Sequence, residues 1–562
     1  MKTIVLTFLV LLVVPVLADA QVQFTCSELL GRPTNTSITI HACANKTLDV
    51  YFEYGTDSLA YRNQTSVRTC ADSIPFVFVL DQLSPNTRYF YRMRYREVGT
   101  SVFLARAAHS FRTQRPPGAA FTFAIQADPH MDENSNPAVY AQTLQNIALQ
   151  NPDFLIDLGD TFMSEKLQHA TQDSITLRHL LLRSYYDLIC HSIPLFLVIG
   201  NHEGELGWLL DGTANSLPVM AATTRLKYFP NPLPDGFYSG NKVSEPFVGL
   251  RQNYYAWEWG SALFVVIDPY WYTKSKPNWG WTLGVDQYNW LRNVLTTSRA
   301  RFKFVFCHQL VGGNGNDGRG GVEFAHLFEQ GGRNADSTWG FDTYRPGWQK
   351  PVHTLMVENN GAIYFHGHDH FYGKQVKDGV IYQEVPQPSA KSYTTISATD
   401  YGYASGVLIP SRGYLLVTVS DTSTQVKYVR TYVSGEENAQ RHNGDISDSY
   451  TIQKTAGTTS VVESGVGLSA FALDQNYPNP FNPSTAITFQ LPAVSFVTID
   501  VYDVLGRKNA TLVNGICEPG AHTVRWDGAG SPSGLYFYKM TAESQSSPSL
   551  KSASVKKMLL LR

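Results

Sequence analysis

Five apolar, strand-like runs in the middle of the chain, Phe121 to Ala127, Phe154 to Leu158, Pro194 to Ile199, Phe302 to Cys307 and Ala362 to Phe365, each end in a polar cluster. The clusters are Asp128-Pro129-His130, Gly159-Asp160, Gly200-Asn201-His202-Glu203, His308 and Gly367-His368-Asp369-His370. Helical patterns recur between the runs, over Pro137 to Gln150, Ile175 to Ile189 and Val285 to Thr297, and Pro137 behind Asn136 fits a helix start. This alternation predicts an α/β sheet. Tyr254 to Ile267, Val380 to Val385 and Tyr414 to Tyr432 are β-branched and aromatic, with fewer helical signals between them. The expected fold class is therefore an α/β (α+β) core, a two-layered β-sheet stack flanked by helices. Carboxyl ends of strands in an open sheet share one edge, so the five clusters are expected to converge there.

Outside this region the period changes. From Gln21 to about Pro117 short alternating runs are broken by turn residues; Tyr89, Tyr91, Met93 and Tyr95 share one face and Arg92, Arg94 and Arg96 the other. That pattern predicts a small β-sandwich. Residues 434–470, rich in Ser, Thr, Gly, Asn and acidic side chains, read as an exposed linker. A second β-pattern follows over 471–562, opened by a proline-rich stretch from Leu473 to Pro483 that forbids a helix.

Composition narrows the setting. The 562 residues suffice for several domains, and 45 Lys+Arg against 47 Asp+Glu, a net charge of -2, disfavour a general nucleic-acid or anionic-membrane binder. Met1-Lys2, an apolar run from Thr3 to Leu17 and Ala18-Asp19-Ala20 form the basic start, apolar core and cleavage site of a secretory signal peptide over residues 1–20. The mature chain is expected to begin at Gln21. The apolar run is shorter than the ~20 residues of a spanning helix, and no transmembrane segment is expected after it. Export permits a disulfide among Cys26, Cys43 and Cys70, with the pairing left open, whereas Cys190 and Cys307 read as buried thiols.

Asp128 and His130 are two apart, as are His368 and His370, a spacing that aims both side chains of each pair to one side at a strand's end. Asp, His and Asn converging without Cys point to a metal site, and this donor set suits Zn, Mn, Fe or Co. The order of the clusters resembles the calcineurin-like metallophosphoesterase superfamily, with its D-x-H, G-D, G-N-H-[DE], H and G-H-x-H motifs. The resemblance implies two divalent metal ions, one held by Asp128, His130 and His370, the other by Asn201, His308 and His368, with Asp160 bridging. It further implies in-line attack of a metal-bridging hydroxide on phosphorus, with His202 as general acid; the other reading of His202 is a neighbour that orients a metal ligand.

Leu83 to Tyr91 and Phe111-Arg112-Thr113 resemble strands of fibronectin type III-like domains, and residues 21–117 look like the N-terminal domain of purple acid phosphatases. Those enzymes carry a tyrosine three residues after the Asp of the G-D motif, where this chain has Met163, and lack a histidine at the place of His130. A colourless enzyme with two divalent metals is expected. The Gly506-Arg507 turn, Ser533-Gly534-Leu535-Tyr536 and the Lys556-Lys557 to Arg562 end resemble the type IX secretion C-terminal sorting domain. This implies export through the periplasm of a Gram-negative bacterium by the type IX machinery, to a secreted or cell-surface-attached state.

The leading expectation is a secreted phosphatase acting on small phosphomonoesters, its catalytic domain spanning 118–433. A phosphodiesterase or nucleotidase would use the same site, and a surface binding protein with a relic phosphatase domain is the reading from another class. Asn201, His202 and Arg319, the last in a glycine-rich stretch after His308, are candidate substrate contacts. Arg333 and Arg345 are further candidates; each of the three arginines reads equally as a solvated loop residue. Tyr270, Trp271, Tyr272, Trp279 and Trp281 are either cleft walls or packed aromatics, and His366 reads as buried.

Overall fold

The computed structural model describes residues 21–315, 317–439, 441–455, 458–462, 471–473, 475–476, 478–491, 495–517, 520–544 and 551–561. The expected signal peptide lies outside them, as do residues 463–470 of the expected linker. No helix among the described residues is long and apolar enough to cross a membrane.

Two sheets make the N-terminal region. Cys26–Gly31, Ile38–Cys43 and Phe76–Leu80 form one; Leu48–Gly55 and Arg88–Glu97 centre the other. Alternation sorts the faces: Tyr89, Tyr91 and Met93 are buried, while on the opposite face Arg92 and Arg94 pair with Glu53 and Arg96 with Asp49. These sheets dock on the following region through buried Arg183 of the helix Gln172–Tyr186. Its Nη1 donates to His41 Nδ1 (2.9 Å) and to the Tyr228 carbonyl (2.8 Å), and its Nη2 to the Ser27 carbonyl (2.6 Å).

His41 in turn donates from Nε2 to the Lys227 carbonyl, so it sits as a neutral imidazole. Burial, and next the Arg183 guanidinium, push it down to about 3. The folded value lies below the ~6.5 of an unfolded histidine, so on acidification the unfolded chain takes up the proton first. The stability contributed by neutral His41 is complete above pH ~6.5 and is lost as pH falls from there towards 3. Urea midpoints of wild type and His41→Gln should therefore converge as pH is lowered from neutral to ~5. A wild-type midpoint falling no more steeply than the variant's would contradict this.

Among the described residues the central region holds a seven-stranded and an eight-stranded sheet. In the first, Phe121–Gln126, Phe154–Asp157 and Leu195–Leu197 run parallel, flanked by the antiparallel Gly413–Val419 and Ser423–Arg430. In the second, Ala262–Val266, Phe302–Phe306, Ile363–His366 and Val380–Glu384 run parallel. Strand alternation decides which side chains meet: Phe123, Phe154 and Phe196 of one sheet pack with Trp257, Phe264 and Phe304 of the other in a shared core. Ala124 and Leu155 point the opposite way, onto Tyr140 and Leu144 of the helix Pro137–Gln150 and onto Leu182 and Tyr186. Val285–Thr297 and Val352–Glu358 cover the outer face of the second sheet. The order of layers is helix, sheet, sheet, helix. Asn136 caps Pro137–Gln150, its Oδ1 accepting from Ala138 and Val139 N–H, so this helix starts where its sequence signal lies.

One expectation changes, and one β-rich run resolves into two strands. Tyr254 to Ile267 is a hairpin of Tyr255–Trp259 and Ala262–Val266, turning at Gly260 with φ 57°. Residues 446–455 of the expected linker are instead a strand, Ile446–Thr455, paired antiparallel with Ser423–Arg430, and Thr458–Val462 pairs with it. Its inward face is half polar: Tyr450 and Ile452 lie between Asp448, which accepts from Tyr372 Oη (2.5 Å), and Lys454, which donates to the Asn360 carbonyl. A strand that buries charge against polar partners leaves no apolar signature. Beyond it, strands from Ala472–Leu473 to Lys551–Leu560 make two further sheets around Phe489, Ile499, Trp526 and Tyr538.

Candidate metal centre

Parallel pairing sets Gln126, Asp157 and Leu197 side by side, and Phe306 beside Phe365, so the chain leaves both sheets at one edge. The loops then bond to one another. Asp128 N–H donates to the Gly159 carbonyl (2.9 Å), His130 N–H to the Asp160 carbonyl (3.0 Å), and Gly367 N–H to the His308 carbonyl (2.9 Å). His368 N–H donates to Asp128 Oδ2 (2.8 Å), joining the two sheets. Asp128, His130, Asp160, His368 and His370 all have left-handed φ, between 46° and 81°. Such conformations cost about 1 kcal/mol or more each and persist where surrounding structure imposes them. Close approach demands glycine at two points: a Cβ on Gly200 would stand 2.2 Å from Asp160 Oδ1, and one on Gly367 2.5 Å from Asp128 Oδ2.

The donors gather in two groups about Asp160. His130 Nε2 lies 3.1 Å from His370 Nε2, 3.7 Å from Asp128 Oδ1 and 3.9 Å from Asp160 Oδ2. His308 Nε2 lies 3.0 Å from Asp160 Oδ2 and 3.2 Å from His368 Nδ1. His308 donates its Nδ1 proton to the Leu158 carbonyl and His368 its Nε2 proton to the Asp317 carbonyl, so the two facing nitrogens both present lone pairs. Asp128 Oδ1, Asp160 Oδ2 and Asn201 Oδ1 are buried with no hydrogen-bond partner. Facing lone pairs and orphaned carboxylate oxygens are costly in a buried site unless a cation stands among them. The pocket favours positive charge: burial opposes protonation of His308, yet Asp160 and then Asp128 push it up to about 10, so His308 Nε2 offers its lone pair to a cation and takes a proton where no cation stands. Imidazole, carboxylate and amide donors without thiolate fit borderline or hard divalent ions.

Three carboxylates that sequence reasoning gave no role hold this arrangement. Glu203 accepts from the N–H groups of Gly200 (2.7 Å), Asp160 (3.0 Å) and Thr161 (2.7 Å), tying the loop of Asn201 to that of Asp160. It lies inside the Gly-Asn-His-Glu cluster, and its place directly after His202 was the available signal. Glu165 accepts from His202 Nδ1, leaving His202 Nε2 3.7 Å from Asp160 Oδ2. Burial works against a charged His202, but Asp160 and next Glu165 push it up to about 9. Nothing in the spacing marks Glu165. Asp369 accepts from Arg319 Nη1 (3.0 Å), Gly320 N–H (2.8 Å) and Tyr403 Oη (2.8 Å).

Arg319 also donates to the His368 carbonyl and lies 4.3 Å over the Tyr401 ring, which fixes its guanidinium beside the site. The other two candidate arginines are engaged elsewhere, Arg333 with the Ser337 carbonyl and Arg345 with Glu329 and the Trp279 and Trp281 carbonyls. Tyr270 is buried behind His308, ring centroids 6.3 Å apart, while Trp271 packs under Arg251 and Trp281 donates to the Gly315 carbonyl. Tyr272 donates to Glu245 and Trp279 to Asn334. His366 is buried 2.7 Å from Glu384 Oε2, with its ring pushed down to about 4 by burial. Met163 is buried, its N–H donating to Asp132.

The sequence pattern of the calcineurin-like phosphoesterase family matches residues 121–372, and that of the secretion system C-terminal sorting domain matches 475–551. No curated protein matches the chain significantly. Among solved structures, PhoD is similar at 17% identity and a TM-score of 0.57, over 78% of this chain and 92% of that one, a likeness of fold. GAP50, the anchor in the inner membrane complex of Plasmodium, is 14% identical with a TM-score of 0.30, over 58% of this chain and 90% of its own. With the motif order matched and the donors converging, this is an exported metal-dependent phosphoester hydrolase, carrying a calcineurin-like phosphoesterase domain over residues 121–372 and a type IX C-terminal sorting domain behind it.

Proposed function

We propose that the chain is a secreted phosphatase that hydrolyses phosphomonoesters at a dinuclear centre. Asp128, His130 and His370 would hold one divalent ion and Asn201, His308 and His368 the other, with Asp160 placed to serve both. The observation that carries the reading is the pair of facing imidazoles, His130 with His370 and His308 with His368, on either side of the orphaned Asp160 Oδ2. When bound, two divalent ions would neutralise phosphoryl oxygens and supply a nucleophile from water at neutral pH.

The chain's own residues do the rest. Glu203 holds the Asp160 loop against the Asn201 loop, so carboxylate and amide keep their spacing. Glu165 grips His202 through Nδ1 and turns Nε2 into the pocket, from where it donates a proton to the leaving oxygen. Arg319, pinned by Asp369 and Tyr401, meets a phosphoryl oxygen with its remaining N–H groups. The preference for monoesters rests on the resemblance of residues 21–117, a fibronectin type III-like unit, to the N-terminal domain of purple acid phosphatases. With Met163 in place of a tyrosine ligand, no tyrosinate colours the metal-loaded protein.

Rates on a phosphomonoester, a nucleotide and a phosphodiester, each with and without EDTA, test this. The monoester should turn over fastest, EDTA should stop all turnover and added divalent metal should restore it. A faster diester or a strict nucleotide requirement would replace the phosphatase by a phosphodiesterase or nucleotidase. Turnover indifferent to EDTA would contradict all three, and a metal-loaded chain inert on every ester would leave a surface binding protein.

A further inference from the structure

The N-terminal sheets hold two thiols that the phosphoesterase does not use. Cys26 opens the strand Cys26–Gly31 and Cys43 closes Ile38–Cys43; in the antiparallel register each is the other's direct partner. Directly opposed residues of an antiparallel pair have Cα atoms about 4.5 or 5.5 Å apart, and both spacings fall within the ~4.4 to 6.8 Å span of a disulfide. Both side chains are buried in the same apolar core. The other described cysteines have different settings. Cys70 faces Leu48 in the second N-terminal sheet, Cys190 shares the apolar core of the pair but lies outside any strand and faces neither across a register, Cys307 is buried under the second central sheet, and Cys517 lies in the C-terminal sheets.

We infer that Cys26 and Cys43 form a disulfide in the exported protein, stapling the first strand to its neighbour where the N-terminal sheets dock on Arg183. The sorting domain takes the chain out of the reducing cytoplasm, into the setting where buried thiol pairs oxidise. The bond forms by thiol–disulfide exchange with a protein disulfide oxidant of the exporting compartment. The Cys43 thiolate attacks one oxidant sulfur and expels the other as a thiolate. The Cys26 thiolate then attacks the Cys43 sulfur of the mixed disulfide and releases the second oxidant sulfur. Two electrons and the two thiol protons pass to the oxidant, which leaves as a dithiol.

The staple fixes an interface. Ser27, next to Cys26, donates its N–H to Asp187 (2.8 Å) and accepts from Arg183, while His41 lies two residues before Cys43. A bond between the strands holds both halves of this contact in one register. The inference rests on export and on the register, and is independent of which phosphoester is hydrolysed.

The full-length protein, secreted by an exporting host and alkylated under denaturing conditions without reductant, tests it. The only Lys or Arg between the two cysteines is Arg32, which precedes Pro33, so the tryptic peptide ending at Lys46 carries both. That peptide is expected unalkylated and lighter by two hydrogen atoms, with reductant restoring two alkylation sites. Reductant should also lower the Tm of the wild type by several degrees while leaving that of Cys26→Ser/Cys43→Ser unmoved. Alkylation of both cysteines in the unreduced protein, or a link from either to Cys70, would overturn the inference. The wild-type Tm series keeps the test decisive if the double variant fails to fold.

Discussion

Asp160→Asn is expected to abolish phosphoester hydrolysis while leaving the sheets folded. Its Oδ2 lies within 3.0 to 3.9 Å of nitrogens from His130, His202, His308 and His368, and no hydrogen bond satisfies it. An amide keeps the shape and removes the negative charge that both groups of donors face. The loss in kcat/KM should therefore exceed the ~10- to 100-fold cost of removing an outer-shell partner of a metal ligand. Bound metal should fall with activity. Backbone bonds from Asp160 N–H to Glu203 and from His202 N–H to Oδ1 survive the change, so urea unfolding should be nearly that of wild type. Retained turnover at wild-type metal content would remove Asp160 from the centre.

His202→Asn separates acid catalysis from ligand support. A general acid typically contributes ~10² to 10⁴ in rate, and the loss in kcat should fall in that range for an alkyl phosphate, whose leaving alkoxide needs a proton. For an aryl phosphate with an acidic phenol the loss should be far smaller, because that leaving group departs without protonation. Metal content should be unchanged in both cases. An equal loss on both substrates would make His202 an orienting neighbour of Asn201 instead of the proton donor. Glu165→Gln should show the same dependence on leaving group in weaker form, since it acts only through His202 Nδ1.

The convergence of the site was legible because it depends on strand direction. Each cluster follows an apolar run, and parallel register delivers Asp128, Asp160 and Asn201 from one sheet and His308, His368 and His370 from the other to a common edge. What was not legible are contacts made between loops. Glu165 meets His202 across 37 residues, and Arg319 meets Asp369 across 50, at spacings no local pattern encodes. Ile446–Thr455 was hidden for a different reason. Its buried Asp448 meets Tyr372 and Lys374 through Oδ2, and its buried Lys454 meets the Asn360 carbonyl, contacts that exist only once the two sheets have met. Charged residues in a strand read as solvent-facing until their partners are known.

Arg319 stands between these cases. The glycine-rich stretch after His308 marked a loop near the site, and the structure places its guanidinium there, but with Asp369 and Tyr401 as partners that the loop's composition does not name. How many of its N–H groups remain for substrate depends on Asp369, the one residue of Gly367-His368-Asp369-His370 between the two histidines. Asp369 is itself buried and holds Tyr403 Oη as well as Arg319.

The central claim, two divalent ions sharing Asp160, is tested most directly by elemental analysis of the purified, fully active chain, with metal counted per protein molecule. Two equivalents of divalent metal that are lost together with activity on chelation, and regained together on reloading, are the predicted result. Full activity with a single ion, or with none, would contradict it.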